Sequence, residues 1–343
     1  MQRPLRFVLP ASLLLLALTA TGTAASVPPA PRLLSTLPLG GAGGWDYLSF
    51  DGAHRHLFVS RGDRVLVIDV DRHKQVGTID NTPGVHGIAL APGLNRGFTS
   101  NGKGASVTEF DLGTLKTVAT IAGTGKNPDA IVYDSASKHV FTFNGHSDSA
   151  SVIDPASHAV VATIALPGKP EFAVSDDAGH IYNNIEDKSE LVEIDTTGNK
   201  VLHVWSLAPC QSPSGLAIDT RHHRLFSVCQ NRVMAVTDAI SGRHVATVPI
   251  GDGPDAVVFD AAASTIYSSN GRSGTITAVH EDHPDHYHVS ATIPTQVSAR
   301  TEALDPALHR LYLSAARLGK TLQANGRPTI EPDSFGILTV GRP

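Results

Sequence analysis

The sequence predicts an all-β fold: a single seven-bladed β-propeller of four-stranded blades, its ring closed by an N-terminal strand that completes blade 7. Three observations predict it. Aromatic residues recur in phase at Phe58, Phe98, Phe141, Tyr182, Phe226, Tyr267 and Tyr312, at steps of 40, 43, 41, 44, 41 and 45 residues; that period belongs to a circular array of four-stranded sheets. Each repeat divides into short runs alternating apolar and polar residues, bounded by Gly, Asn and Pro. Six repeats carry a fourth run, the seventh lacks one, and an unmatched run stands at the opposite end of the chain.

Taking the elements in order, residues 1–25 read as an export signal. Arg3 and Arg6 give a positive start, an apolar stretch covers 7–20, and Thr23-Ala24-Ala25 offers small residues for cleavage near Ala25. The stretch is short for a bilayer span, no later segment approaches the necessary length, and no cysteine near the cleavage region offers a site for lipid anchoring. The remainder, residues 26–343, is expected to be one periplasmic or secreted, monomeric propeller domain. Losing the signal removes two arginines and no acidic residue, moving the formal charge from −5 to −7. That balance, without a basic stripe, argues against a nucleic-acid partner. Hydrophobic content of 41% and charged content of 17% fit a globular chain.

The run at 32–40 (Leu33-Leu34-Ser35-Thr36-Leu37-Pro38-Leu39-Gly40) resembles Val245-Ala246-Thr247-Val248-Pro249-Ile250-Gly251 at the end of the fifth repeat, which assigns it as an outermost strand, that of blade 7. Closing the ring this way removes the exposed edges of an open array. Blades are expected to start near residues 45, 85, 128, 170, 213, 254 and 300. Blade 5 shows the pattern: strands at 214–219, 224–229, 232–238 and 244–250, with Arg221-His222-His223 as a polar turn. Asn101-Gly102, Asn144-Gly145 and Asn270-Gly271 read as tight hairpin turns. No convincing amphipathic helix follows the signal. Two stretches depart from the repeat: the long loop 315–333 in blade 7, expected as a lid over the channel mouth, and the His-rich run 280–288 in blade 6.

Leu57-Phe58-Val59-Ser60 followed by Val65-Leu66-Val67-Ile68-Asp69 resembles the YVTN-type propeller repeat. Pro128-Asp129-Ala130-Ile131-Val132-Tyr133-Asp134, Phe143-Asn144-Gly145-His146 and Cys210 with Pro213-Ser214-Gly215-Leu216-Ala217-Ile218-Asp219 are similar to exported bacterial YncE-like proteins, over nearly all of 33–340. The resemblance implies the fold and export and carries no catalytic motif. More distantly, the ring resembles seven-bladed lactonases of the phosphogluconolactonase type, with no stretch that transfers site residues.

Aligning the residue that leads into each innermost strand gives Asp46, His86, Asp129, Glu171, Ser214, Asp255 and Arg300, a polar ring around the channel mouth. It could hold a divalent cation through oxygen ligands or orient a polar molecule, and crowded carboxylates raise one another's pKa. The bland reading is structural: Asp129 and Asp255 follow prolines, where carboxylates often bond turn amides. A second layer from the hairpin turns comprises Arg61, Asn101, Asn144, His146, Asn184, Gln230, Asn270 and Arg317; His146 and Arg317 have least structural excuse and join the candidate ligand contacts. Asn101, Asn144 and Asn270 read as turn chemistry.

Cys210 and Cys229 fall on one face of blade 5, and a disulfide is the expected reading in an exported chain; two buried thiols are the alternative. His54, His56, His139, His180, His223 and His309 recur in the turn after the first strand, as polar turn residues on the opposite face. His283, His286 and His288 could clasp zinc or copper, with adventitious binding the favoured reading. No phosphate loop, Gly-x-Ser-x-Gly elbow or His-Glu-x-x-His occurs.

Two functions compete. The first is an exported, non-catalytic binding or scaffold propeller whose mouth holds a small polar ligand, a cation or a periplasmic protein partner, with no cofactor assigned beyond a divalent cation. The alternative is a lactonase-like hydrolase in which Asp129, Glu171 or Asp255 holds a metal or activates water, His86 carries the proton and Arg300 stabilises an oxyanion. A third reading, an accessory to a quinone- or haem-dependent dehydrogenase, rests on fold analogy alone.

Overall fold

The in-phase aromatics each take the third position of a blade's second strand, and all are buried, at 0–9% exposure. From there several reach the next blade round the ring: Phe58 lies 5.3 Å from Phe110, Phe226 5.5 Å from Phe259 and Tyr312 5.7 Å from Phe50, centroid to centroid. Among the described residues the apolar core divides into seven clusters, one at each blade–blade boundary. The sequence period is therefore the period of the interfaces: a sheet has two faces, and each must be covered by a neighbour.

The structure is a computed structural model describing residues 2, 4, 5, 30–323, 326 and 328–343; the apolar stretch and Ala25 cleavage region of the expected signal, and part of the loop 315–333, lie outside the described residues. Seven four-stranded antiparallel sheets form the blades. The innermost strands are Leu48–Asp51, Val85–Ala91, Pro128–Asp134, Pro170–Ser175, Pro213–Asp219, Pro254–Asp260 and Thr301–Asp305. Blade 5 continues with Arg224–Cys229, Val233–Asp238 and His244–Pro249. In blade 7, Arg310–Ala315 and Gly336–Gly341 are followed by Arg32–Pro38, whose register with the last strand runs from Arg32 opposite Gly341 to Pro38 opposite Gly336. The N-terminal strand thus closes the ring. Among the described residues no helix is long and apolar enough to cross a membrane.

Two local expectations change. Asn101, Asn144 and Asn270 are not the positive-φ residues of type I′ turns; they end buried strands, and each amide donates to a hydroxyl of the next strand, to Thr108 at 2.9 Å, Ser151 at 3.0 Å and Thr277 at 3.0 Å. Positive φ falls later in those turns, at Ala105, Asp148 and Gly274. The glycines serve close approach: a Cβ on Gly102 would lie 2.8 Å from the His86 ring, and one on Gly271 2.6 Å from Arg300 Cβ. The blade-seven insertion forms a two-stranded hairpin, Leu318–Leu322 with Pro328–Ile330.

Cys210 and Cys229 are disulfide-bonded, with Cα atoms 5.5 Å apart, fastening the connection into blade 5 to the end of its second strand. The bond points to a non-reducing compartment.

Candidate ligand site at the channel mouth

Because each blade repeats the same turn into its innermost strand, the leading residues converge on the axis. Asp46, His86, Asp129, Glu171, Asp255 and Arg300 line one cavity of about 160 Å³, joined by Tyr47 and Thr301. Ser214, the seventh ring position, does not line it: Ser214 is buried and its hydroxyl donates to Asp255 Oδ1 at 2.8 Å, orienting that carboxylate. His146 is exposed on its turn and Arg317 pairs with Glu331 at 2.7 Å; neither lines the cavity, nor does any described residue of the blade-seven hairpin. Arg61 is structural, buried against the Phe335 ring with its guanidinium on the carbonyls of Gly40, Gly41, Gly43 and Gly44.

The ring is held by its own backbone carbonyls. Each accepts a side-chain hydrogen bond: His86 O from Ser60, Asp129 O from Ser100, Ser214 O from Asn184 (2.9 Å), Asp255 O from Ser214 (3.1 Å), Arg300 O from Ser269 (2.6 Å) and Asp46 O from Thr301 (2.6 Å), all across a blade boundary, and Glu171 O from Asn183 (2.9 Å) within blade 4. Sequence reasoning missed these anchors. Their signal is a small polar residue two places after the phased aromatic, as at Ser60, Ser100, Asn184 and Ser269.

Tyr47 was also missed. At the position following each ring residue stand Tyr47, Gly87, Ala130, Phe172, Gly215, Ala256 and Thr301. The two large rings, from blades 1 and 4, meet across the axis at 5.1 Å, in space the small residues leave. Of the two, Tyr47 lines the cavity.

Charge is distributed unevenly around it. His86 Nδ1 sits 2.7 Å from Asp46 Oδ2 and 3.8 Å from Asp129 Oδ1. Burial opposes the imidazolium, but the Asp46 bond and the charges on Asp129, Asp46 and Glu171 outweigh it and raise the histidine to about 9. Arg300 pairs with Asp255, lies 3.5 Å from Asp46, and is held strongly protonated, by Asp255 above all, against its burial. Lys169 Nζ lies 2.9 Å from Glu171 and also pairs with Glu186. Asp129 is left over: among the described residues its carboxylate accepts no hydrogen bond, and its side chain is only 16% exposed. Burial chiefly raises it to about 6, with Asp46 and Asp255 adding and His86 opposing. Burial first, then Asp129, raise Glu171 to about 8 against the pull of Lys169. Tyr47 is pushed well up, by burial and then by Asp129, Glu171, Asp46 and Asp255.

Even with Glu171 protonated near neutral pH, three carboxylates face two cations on the lining, so the cavity favours a positively charged guest. Asp46, His86 and Asp129 could also hold a metal ion. Among the described residues the blade-six histidines join no such group; His286 and His288 both turn Nδ1 to Asp282 Oδ2 at 2.8 Å.

No family model matches the chain, and no curated protein is similar in sequence. The likeness to known proteins is one of fold. The chain is similar to hydrazine synthase from Kuenenia stuttgartiensis, at TM-score 0.71 and 14% identity over 84% of this chain and 96% of that one. It is similar to U3-55K, at 0.76 and 11% over 90% and 99%, and to the WD40 repeats of RRP9, at 0.76 and 11% over 92% and 100%. Identities this low carry the propeller architecture and nothing of the site.

Proposed function

We propose that this protein is an exported, non-catalytic binding propeller whose channel mouth takes a small, positively charged polar ligand. The observation that carries the reading is Asp129: a nearly buried carboxylate that among the described residues accepts no hydrogen bond, lining a small, net acidic cavity together with Tyr47. A cationic group there would replace lost hydration with a charge-assisted bond, while Glu171 and the Asp46–His86 pair complete its polar surround. The volume is below the usual range for drug-sized ligands, which keeps the guest small. The likeness to WD40 repeats is compatible with a binding or scaffold role, and the disulfide agrees with residues 1–25 acting as an export signal. Calorimetric titration with a panel of small amines and divalent cations tests it: at least one member should bind, and Asp129→Asn should weaken it more than about tenfold. Absence of binding across the panel, or tight binding unaltered in D129N, contradicts the proposal.

A second reading, a lactonase-like hydrolase, draws on the same cavity. Near neutral pH Glu171, held near 8, and His86, held near 9, both carry protons to give, while Asp129, raised to about 6 and 3.8 Å from His86, is the group left to accept one, so acid and base stand within one site. Turnover of a lactone panel, lost in E171Q and H86A together, would favour it over simple binding.

A further inference from the structure

At the face opposite the channel mouth, innermost strands end on aspartates that cap the following turn. Asp51, Asp134, Asp219, Asp260 and Asp305 each accept a backbone N–H, from Ala53, Ser137, Arg221, Ala263 and Ala307 at 2.8–3.2 Å. In four of them the other oxygen takes a second donor: His54 for Asp51, Ser175 for Asp134, His309 for Asp260 and Arg55 for Asp305, all at 2.7 Å. Asp219 breaks the pattern. Its Oδ2 is buried without a hydrogen bond. His222 Nδ1 stands 2.7 Å away but is not aligned as a donor, and it too is without a partner.

The reason is a third group, Glu281. Blade 6 extends its outer hairpin, running its third strand to His283 and starting its fourth at His286. Arg224 of blade 5 grips the tip, donating to Pro284 O at 2.8 Å and Asp285 Oδ1 at 3.0 Å. Tyr287 donates to Glu281 Oε1 at 3.0 Å, which leaves Oε2 buried, 3.5 Å from His222 Nδ1 and facing Asp219, with which it can share a proton. The side chains of Asp219 and Glu281 are 4% and 1% exposed. Two carboxylates sealed together with idle oxygens are costly unless a cation or a proton lies between them.

We propose that Asp219, His222 and Glu281 form a binding site for a transition-metal dication of the Zn²⁺ type, clamping blade 5 to the extended hairpin of blade 6. The three ligand atoms lie within 4.8 Å of one another. The two separations of 2.7 and 3.5 Å bracket the roughly 3.0–3.4 Å between neighbouring ligands on an ion about 2.1 Å from each. One imidazole with two carboxylates suits a borderline dication, whereas Ca²⁺ takes six or more oxygens and Mg²⁺ keeps several waters. Outer contacts hold the ligands as such sites require: the Arg221 N–H on Asp219 and the Tyr287 hydroxyl on Glu281. His222, 31% exposed, leaves one side open for a water as fourth ligand.

The test uses the full chain, stripped with chelator, titrated with Zn²⁺ and analysed for retained metal after gel filtration. One tight equivalent is expected, with a Zn²⁺-dependent rise in melting temperature. Glu281→Gln, which keeps the side-chain shape, and His222→Ala should each weaken it more than about 100-fold and abolish that rise. The triple variant H283A/H286A/H288A should retain it. Co²⁺ loading gives an independent readout: a visible ligand-field band present in the parent and triple variant, absent in E281Q. The proposal fails if no tight equivalent binds, if the equivalent survives E281Q and H222A, or if it vanishes in the triple-histidine variant.

Discussion

His86 Nδ1 approaches Asp46 Oδ2 to 2.7 Å across the boundary between blades 1 and 2. The contact couples the mouth to the stability of the fold. A histidine raised to about 9 contributes stability that is complete below its unfolded pKa near 6.5 and is lost as pH rises through 9. Asp129 and Glu171, raised to about 6 and 8, keep protons that the unfolded chain releases near pH 4, so their contribution also falls with rising pH. The signs agree. The melting temperature should fall from pH 6.5 to pH 9, the His86 part being on the order of 3 kcal/mol, and Asp46→Asn should flatten that slope. A parent curve level or rising across this window would refute the assignment.

Gly87 lets the innermost strands of blades 2 and 3 approach. A Cβ there would stand 2.8 Å from both Asp129 O and Ile131 Cγ2, so Gly87→Ala should cost about 1–3 kcal/mol in urea unfolding and displace Asp129. Ser100→Ala removes the hydroxyl on the Asp129 carbonyl and should cost about 1 kcal/mol. Ligand affinity should fall further in G87A than in S100A; equal affinity in both would separate Asp129 from the binding event.

Reducing the Cys210–Cys229 bond, 19 residues apart in sequence, should lower unfolding stability by about 3 kcal/mol while the β signal in circular dichroism persists. Unfolding at the same urea concentration with and without reductant would show that the bond adds nothing.

Glu302 is buried in the innermost strand of blade 7, and burial drives its carboxyl well above the usual range, opposed only by the backbone N–H of Ser269. The folded chain retains a proton that the unfolded chain loses, so this residue weakens the fold increasingly as pH rises above the ordinary carboxylate range. Glu302→Gln should add about 1 kcal/mol at pH 8 and little at pH 4. A loss of stability at pH 8 would show that the carboxylate has a further partner in the fold.

The parts legible in the sequence are those that repeat. Phe58 and its counterparts mark the blade interfaces because each must fill the same gap, and the likeness of 33–40 to 245–251 reveals the closing strand because an outer strand has one pattern wherever it lies in the chain. Asp46, His86, Asp129, Glu171, Asp255 and Arg300 could be aligned because one turn geometry places all of them. What escaped depends on unlike partners meeting. Tyr47 and Phe172 touch across the axis only because five small residues make room. The asparagines before glycine look like turn formers until the hydroxyls of Thr108, Ser151 and Thr277 are seen beneath them. Glu281 reaches Asp219 and His222 through the lengthened outer hairpin of blade 6, and such a contact leaves no periodic trace.

The pairing of Arg32–Pro38 with Gly336–Gly341 sets an order on maturation. A strand that precedes every blade in the chain finds its partner only in blade 7, after the other six. Until then six finished blades must persist as an open arc with two bare rims, the state in which such a chain is most prone to join its neighbours edge to edge. Truncation after blade 6 should therefore yield linked multimers in place of a smaller ring, and a free peptide carrying residues 30–40, supplied during refolding of a chain that lacks them, should restore the lone molecule.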